Sequence, residues 1–305
     1  DQFNDLKLRA SYGTTGNRNI GRYRYAGTVG YRSGYPGGSS SVPTNIENRD
    51  LQWEETTMFD IGLEFAMFDN RLRGVVDYYK RTTDNLLFNA PTAYESGIPG
   101  LSIASNIGEI ENSGVEVELS GDIIRTMDWS WTLGGNITFY DNKIVDLVSD
   151  DPNYEGMEAP GTFMQYWGIG ESINQFYLVD YAGIDDTNGR PLYYGGDGNT
   201  YYWNDLPTDI ENRFKKGSVF ADFEGGFNTT VAYKGLSLTA DFAYKGGNYI
   251  YNQVYANVVS DGMEADNNQA TDAANFWRAP GDAEKGGMNP SPLYGAEARQ
   301  QSTRF

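Results

Sequence analysis

Residues Thr57–Phe68 read TMFDIGLEFAMF. Phe59, Ile61, Leu63, Phe65 and Met67 occupy alternate positions, and Asp60, Gly62, Glu64 and Ala66 fall between them. Side chains of a β-strand point to opposite faces with period two, so the five large apolar groups share one face and both carboxylates share the other. One face is as apolar as a protein core and the other is suited to water.

The same division recurs along the chain. Leu6, Leu8, Ala10 and Tyr12 alternate with Lys7, Arg9 and Ser11, and Leu72, Gly74, Val76 and Tyr78 with Arg71, Arg73, Asp77 and Arg81. Val115, Val117 and Leu119 alternate with Glu116, Glu118 and Ser120. Trp129, Trp131, Leu133, Ile137 and Phe139 alternate with Ser130, Thr132, Asn136 and Thr138. FNTTVAY repeats the scheme, and the next segment places Leu236, Leu238, Ala240, Phe242 and Tyr244 on one side. These strands reach about ten residues, longer than is usual in globular sheets and sufficient, when tilted, to cross a bilayer.

The connections are unequal. Phe68-Asp69-Asn70, Arg125–Asp128 and Lys234-Gly235 form short turns, whereas roughly 13–55, 83–112, 141–217 and 246–305 are long. If the strands run alternately up and down, the short turns gather at one end and the long connections at the other, the arrangement of bacterial outer-membrane barrels. The expected fold is all-β, a transmembrane antiparallel barrel. Lipid offers no hydrogen bonds, so a spanning sheet must close on itself. Seven strands do not enclose a useful bore, and the chain is expected to supply part of a larger, plugged barrel of about 22 strands. Aromatic side chains stand near the strand ends, as interface girdles require: Phe68, Trp129 and Tyr233 by the short turns, and Tyr12, Tyr78, Phe139 and Tyr244 by the long connections. Phe59, Ile61, Leu63, Phe65, Val117, Leu133, Ile137 and Leu238 are expected to face lipid. Asp60, Glu64, Arg71, Arg73, Asp77, Glu116 and Glu118 are expected to face an aqueous lumen. The arginines would brace a plug or pair with Asp60 and Glu64. A soluble β-sandwich would also alternate, with its apolar faces turned toward each other.

Composition narrows the chemistry. The 305 residues include no Cys and no His, which removes disulfides, thiolate sites and the commonest general base. The net charge of −19 disfavours nucleic acid. No apolar run is long enough for a transmembrane helix, and the N-terminus has no signal-peptide pattern. The carboxylate pairs Glu54-Glu55, Asp150-Asp151 and Asp185-Asp186 have no nucleophile or base beside them. GTTGN and GYPGGSSS lack the lysine and helix of a phosphate loop. No catalytic site is expected. In DDTNGRPLYYGGDGN a structural calcium ion on Asp185, Asp186 and Asn188 is one reading, but the spacing fails the EF-hand pattern. Two glycine turns in a hairpin, TNGR and GDGN, are preferred. The acidic 141–217 region also carries Tyr166, Trp167, Tyr193, Tyr194, Tyr201, Tyr202 and Trp203. These rings either meet a partner or sugar substrate, or pack the long loop on itself.

NRDLQWEETTMFDIGLEF followed by NRLRGVVDYYKRTTDNLL resembles the barrel of the SusC/RagA group of TonB-dependent outer-membrane transporters of Bacteroidetes. NIGEIENSGVEVEL, WSWTLGGNITFYDNKIVDL, YAGIDDTNGRPLYY and FWRAPGD…STRF are similar to later blocks of that group, in order. The resemblance implies import of an oligosaccharide or peptide under a SusD-like lipoprotein lid, energised through TonB, with the long loops extracellular and no cofactor. It also implies that a plug domain, a TonB box and final strands are missing, so the chain is expected to be a fragment, with Phe305 not a true terminal aromatic. A siderophore or cobalamin receptor of the TonB-dependent type, and a soluble adhesin or lectin, are the other readings.

Overall fold

The computed structural model describes residues 3–18, 21–35, 38–91, 102–106, 108–147, 156–158, 164–206, 212–259, 268–286, 289–292, 302 and 304. Asp150-Asp151 and Phe305 lie outside them. The chain divides into two units.

The first unit comprises Asp1–Gly156, Gly168–Ile173 and Ala221–Gly247. Its main element is a seven-stranded antiparallel sheet in sequence order. We number these strands β1 (Phe3–Asn17), β2 (Glu54–Met67), β3 (Leu72–Asp84), β4 (Glu109–Arg125), β5 (Trp129–Asp146), β6 (Phe223–Tyr233) and β7 (Leu236–Gly246). Each pairs with its predecessor, so short and long connections alternate from strand to strand. Phe68–Arg71, Thr126–Asp128 and Lys234-Gly235 make the short ones. Lys234 and Gly235 both have positive φ (45° and 92°), the primed turn whose twist suits a two-residue hairpin.

The register carries the alternation across all seven strands. Leu6, Phe65, Gly74, Leu119, Gly135, Phe227 and Phe242 form one continuous row. Ala10, Ile61, Tyr78, Val115, Phe139 and Phe223 form another on the same face. The opposite face carries rows such as Lys7, Glu64, Val75, Glu118 and Asn136. A one-residue slip in any strand would mix the faces, so the pattern itself fixes the pairing.

Several strands run past the limits expected from the sequence. β1 continues to Asn17, β4 begins at Glu109 and β5 extends to Asp146. In these extensions the regular apolar alternation stops (Thr14, Thr15, Asn112, Asn142) while backbone pairing persists, and Ile110 and Ile144 meet as a buried register pair.

Glycine and aromatic residues interlock across strands. The Phe65 ring covers Gly74, where an added Cβ would come within 2.3 Å of Cζ. Tyr79 lies over Gly114, Tyr244 over Gly225 and Phe223 over Gly246, each 2.7 Å from the same hypothetical carbon. In all four cases the ring and the glycine are register partners. The bare backbone accepts the ring face, which packs both strands more closely than two side chains could.

The second unit comprises Met157–Trp167, Asn174–Phe220 and Asn248–Phe305. It holds a two-stranded sheet (Gln175–Leu178 with Phe214–Ser218) and a three-stranded meander (Tyr181–Ile184, Pro191–Tyr194 and Thr200–Tyr201). Val179, Tyr193 and Leu206 form its buried cluster, with Tyr181, Tyr201 and Trp203 packed around them.

Candidate functional site

The polar face of the seven-stranded sheet is held by ion pairs that cross strands. Arg9 Nε lies 2.8 Å from Glu64 Oε1 and Arg9 Nη2 lies 2.7 Å from Asp77 Oδ1, while Lys7 Nζ approaches Glu64 Oε2 at 3.4 Å. The cations that meet Glu64 therefore come from β1, where the sequence had suggested arginines of β3. Arg71 belongs to the turn before β3, and its Nη2 donates to the Ile123 carbonyl at 3.2 Å. Arg81 sits over the Tyr79 ring at 5.5 Å. Arg73, Glu64 and Glu118 line a shallow depression with Asp5. Glu116 stands in register beside Asp77 on the same face, and Asp60 lies opposite Tyr79. The sequence could not rank these partners, because the segment joining β1 to β2 hides which strand Arg9 would meet.

The apolar face has no covering layer from its own unit among the described residues. Phe59, Ile61, Leu63, Leu133 and Leu238 are all exposed, Leu238 to 73%. Phe65, Val117 and Ile137 continue the same rows. At the short-turn end the Trp129 and Tyr233 rings lie 4.4 Å apart. At the other end the apolar rows give way to charge. Glu111 binds Lys80 at 2.7 Å and Lys143 at 2.9 Å on this same face, just beyond Tyr78, Val115 and Phe139. The sequence reading missed that cluster, because a charged residue following an apolar run looks like a strand end.

In the second unit Asp185 and Asp186 are engaged within the protein. Asp185 accepts from the Thr187 N–H and hydroxyl (2.8 and 2.6 Å), from Asn188 Nδ2 (2.9 Å) and from the Tyr202 hydroxyl. The Thr187 hydroxyl and then Tyr202 hold its carboxyl below the usual range, and the Asp185 carboxylate pushes the Tyr202 phenol up. Asp186 accepts from the Ala283 and Gly281 N–H groups, which hold it low, and from the Trp277 indole. Asn188 Oδ1 accepts from Arg190 N–H at 2.9 Å. Among the described residues no three carboxylates converge as a metal site would require. TNGR and GDGN form turns, with Gly189 N–H donating to Asp185 O at 2.7 Å and Gly198 N–H to Gly195 O at 3.0 Å.

The aromatic candidates of this unit have diverse placements. Tyr193 is fully buried, with the Trp203 ring edge-on at 5.3 Å. Tyr202 lies beneath the Arg190 guanidinium at 3.5 Å, and the Tyr201 hydroxyl donates to Asp197 at 2.7 Å. Tyr166 packs on Tyr177 at 4.6 Å, and Trp167 is half-buried. Tyr194 is exposed. These rings form the unit's own core and rim, and Tyr194 offers the most open surface of the seven.

Residues 2–165 match the family described as TonB dependent receptor-like, beta-barrel. The chain belongs to this family. TonB-dependent receptor P39 of Formosa agariphila is 30% identical over 328 residues, covering 92% of this chain and 30% of the relative. TonB-dependent receptor SusC of Bacteroides thetaiotaomicron is 29% identical, covering 86% of this chain and 27% of SusC. The solved RagAB peptide importer in its closed-closed state superposes with a TM-score of 0.81 at 32% identity, over 100% of this chain and 33% of that one. The chain thus spans about a third of the length of these family members. The relatives and neighbours it resembles are TonB-dependent receptors and importers rather than enzymes, and its seven strands correspond to barrel wall.

Proposed function

We propose that the chain is part of the wall and loops of an outer-membrane importer that takes up a nutrient, an oligosaccharide or a peptide, with energy delivered through TonB. The observation that carries this reading is the seven-strand register, which gathers exposed apolar residues on one face and cross-strand ion pairs on the other. The first face suits hydrocarbon and the second a watery lumen. The long connections then project outside the cell, where a SusD-like lipoprotein closes over the substrate path. The family relationship supports both the lid and the energy source. The Arg9–Glu64–Asp77 cluster stiffens the lumen wall so that it keeps its shape while a plug moves.

The test is uptake by cells carrying the full-length protein. Labelled oligosaccharides and peptides are offered with and without a protonophore. Import of either class that stops when the proton-motive force is collapsed, and that is absent from the deletion strain, is the expected result. Uptake of an iron chelate or cobalamin alone would overturn the nutrient class.

A further inference from the structure

Gly74, Gly114, Gly225 and Gly246 are each covered by a ring from the neighbouring strand. Gly121 on β4 and Gly135 on β5 are not. A Cβ at Gly121 would meet Arg71 O at 3.5 Å and Leu72 Cδ1 at 3.9 Å, which is ordinary contact. At Gly135 the nearest atoms are Gly226 O at 3.3 Å and Phe227 Cβ at 3.4 Å, while the Phe227 ring stacks on Phe242 with centroids 4.4 Å apart. Neither glycine has a positive φ. Backbone conformation therefore requires neither, and at Gly121 no neighbouring group uses the space.

Both bare positions lie on the apolar face. Gly121 is in register with Leu133 and Gly135 with Leu119, so leucine and glycine alternate diagonally across β4 and β5. The glycines floor a trough of about 500 Å³ whose walls are Leu72, Leu119, Ile123, Leu133 and Phe227. That volume is within the range of small-molecule sites. Leu119, Ile123, Leu133 and Phe227 are all exposed. Ile123 owes its place to a β-bulge: Asp122 pairs with Thr132 and Ile124 with Trp131, and Ile123 between them has no register partner.

A cation stands at the short-turn end of the trough. Arg71 Nη2 donates to Ile123 O at 3.2 Å, and Arg71 O accepts from the Asp122 N–H at 2.8 Å. Arg71 is exposed, and among the described residues no carboxylate pairs with it. Its guanidinium fork keeps donors to spare, in a geometry that suits phosphate.

We propose that this trough seats one acyl chain of a phospholipid from the leaflet at the short-turn end, with Arg71 holding the phosphate. The trough opens onto the exposed apolar rows that carry Leu63 and Leu238, so a chain enters it directly from the surrounding hydrocarbon. A sugar or a polar peptide would find no hydrogen-bonding side chain among the walls. The inference rests on the reading of this face as lipid-facing.

The test uses the full-length protein in uncharged alkyl-maltoside micelles, with a phosphatidylethanolamine that carries a diazirine in its acyl chain. Photolabel is mapped by peptide mass spectrometry. The expected result is label concentrated in residues 119–133 over residues 59–67, a stretch of the same face without a trough. Unlabelled phosphatidylethanolamine should displace it at a concentration at least about tenfold lower than diacylglycerol of the same chains does, and Arg71→Gln should abolish that preference. Gly121→Leu fills the floor of the trough and should remove the label from residues 119–133 while leaving residues 59–67 unchanged. Heat-modifiable migration confirms that both variants fold, and if Gly121→Leu does not assemble, the competition with and without Arg71→Gln decides. Equal labelling of the two stretches, equal displacement by the two competitors, or label at residues 119–133 that survives Gly121→Leu in a folded barrel would each overturn the proposal. Label on neither stretch would overturn the lipid-facing assignment itself, and the proposal with it.

Discussion

Arg9 Nη2 on β1 donates to Asp77 Oδ1 on β3 at 2.7 Å, passing over the intervening β2 residue Gly62. A Cβ at Gly62 would stand 1.8 Å from that carboxylate oxygen and 3.0 Å from the guanidinium nitrogen. The glycine is there for space on the polar face. Valine at a strand position ordinarily helps, so a loss on Gly62→Val is diagnostic. We expect a decrease of about 1–3 kcal/mol in the unfolding free energy of the full-length barrel in urea. Adding Arg9→Met to Gly62→Val should cost little more, because the pair is already broken. Fully additive effects would show that Gly62 does not serve the ion pair.

Leu63 and Glu64 are sequence neighbours on opposite faces near the middle of β2. Arginine at Leu63 should cost about 2–4 kcal/mol if that face lies in hydrocarbon. Arginine at Glu64 loses the contacts to Lys7 and Arg9 but stays in water, and should fold with a smaller loss. Folding of the full-length protein into lipid vesicles measures both. Equal penalties would remove the assignment of the two faces.

Tyr244 makes two separable contributions. Its ring covers Gly225, and its hydroxyl donates to the Asn136 carbonyl at 3.0 Å. Tyr244→Phe should cost about 1 kcal/mol for the hydrogen bond. Tyr244→Ala should cost clearly more, because it also uncovers the glycine backbone. Equilibrium unfolding of the two variants in one lipid separates the contributions, and a phenylalanine variant as unstable as the alanine one would assign the whole effect to the hydroxyl.

The wall of this protein was legible because alternation at period two is a direct consequence of strand geometry. Phe59 to Met67 could be divided between two faces with no knowledge of their neighbours. Short turns such as Lys234-Gly235 were equally plain. Partnership across strands was not, since Arg9 meets Glu64 and Asp77 through a register that the sequence does not display. The Lys80–Glu111–Lys143 cluster was hidden because charged residues that follow an apolar run look like a strand end. In the second unit, composition showed that aromatics were abundant but could not distinguish Tyr193, which forms the core, from Tyr194, which is exposed. Both sit in one short strand, and only the meander's fold decides which points inward.

Chelation should leave the second unit unchanged. A calcium ion on Asp185 and Asp186 would have to displace Thr187, Asn188, Tyr202, Gly281 and Ala283 from the carboxylates. Thermal unfolding with EDTA and with added calcium should therefore coincide. Asp185→Ala should lower the midpoint under both conditions, because it leaves the Thr187, Asn188 and Tyr202 donors without their shared acceptor whatever the metal content. A calcium-dependent rise in the midpoint that Asp185→Ala abolishes would restore the metal reading.

Acid should loosen the turn around Asp282 over a defined window. Lys285 and then the Arg278 N–H hold the Asp282 carboxyl down to about 2, and Ala279 N–H adds a further bond at 3.0 Å. An unfolded aspartate titrates near 3.9. Because the folded value is depressed, its contribution is complete above about pH 4 and is lost as pH falls from about 4 toward about 2. Hydrogen exchange of a peptide covering Phe276–Gly286 should then show protection, corrected for intrinsic rates, that is flat above that window and falls within it. Asp282→Asn should remove the pH dependence, since an uncharged amide neither titrates nor holds Lys285. Protection in the asparagine variant that still falls between pH 4 and pH 2 would place the titrating group elsewhere in the unit.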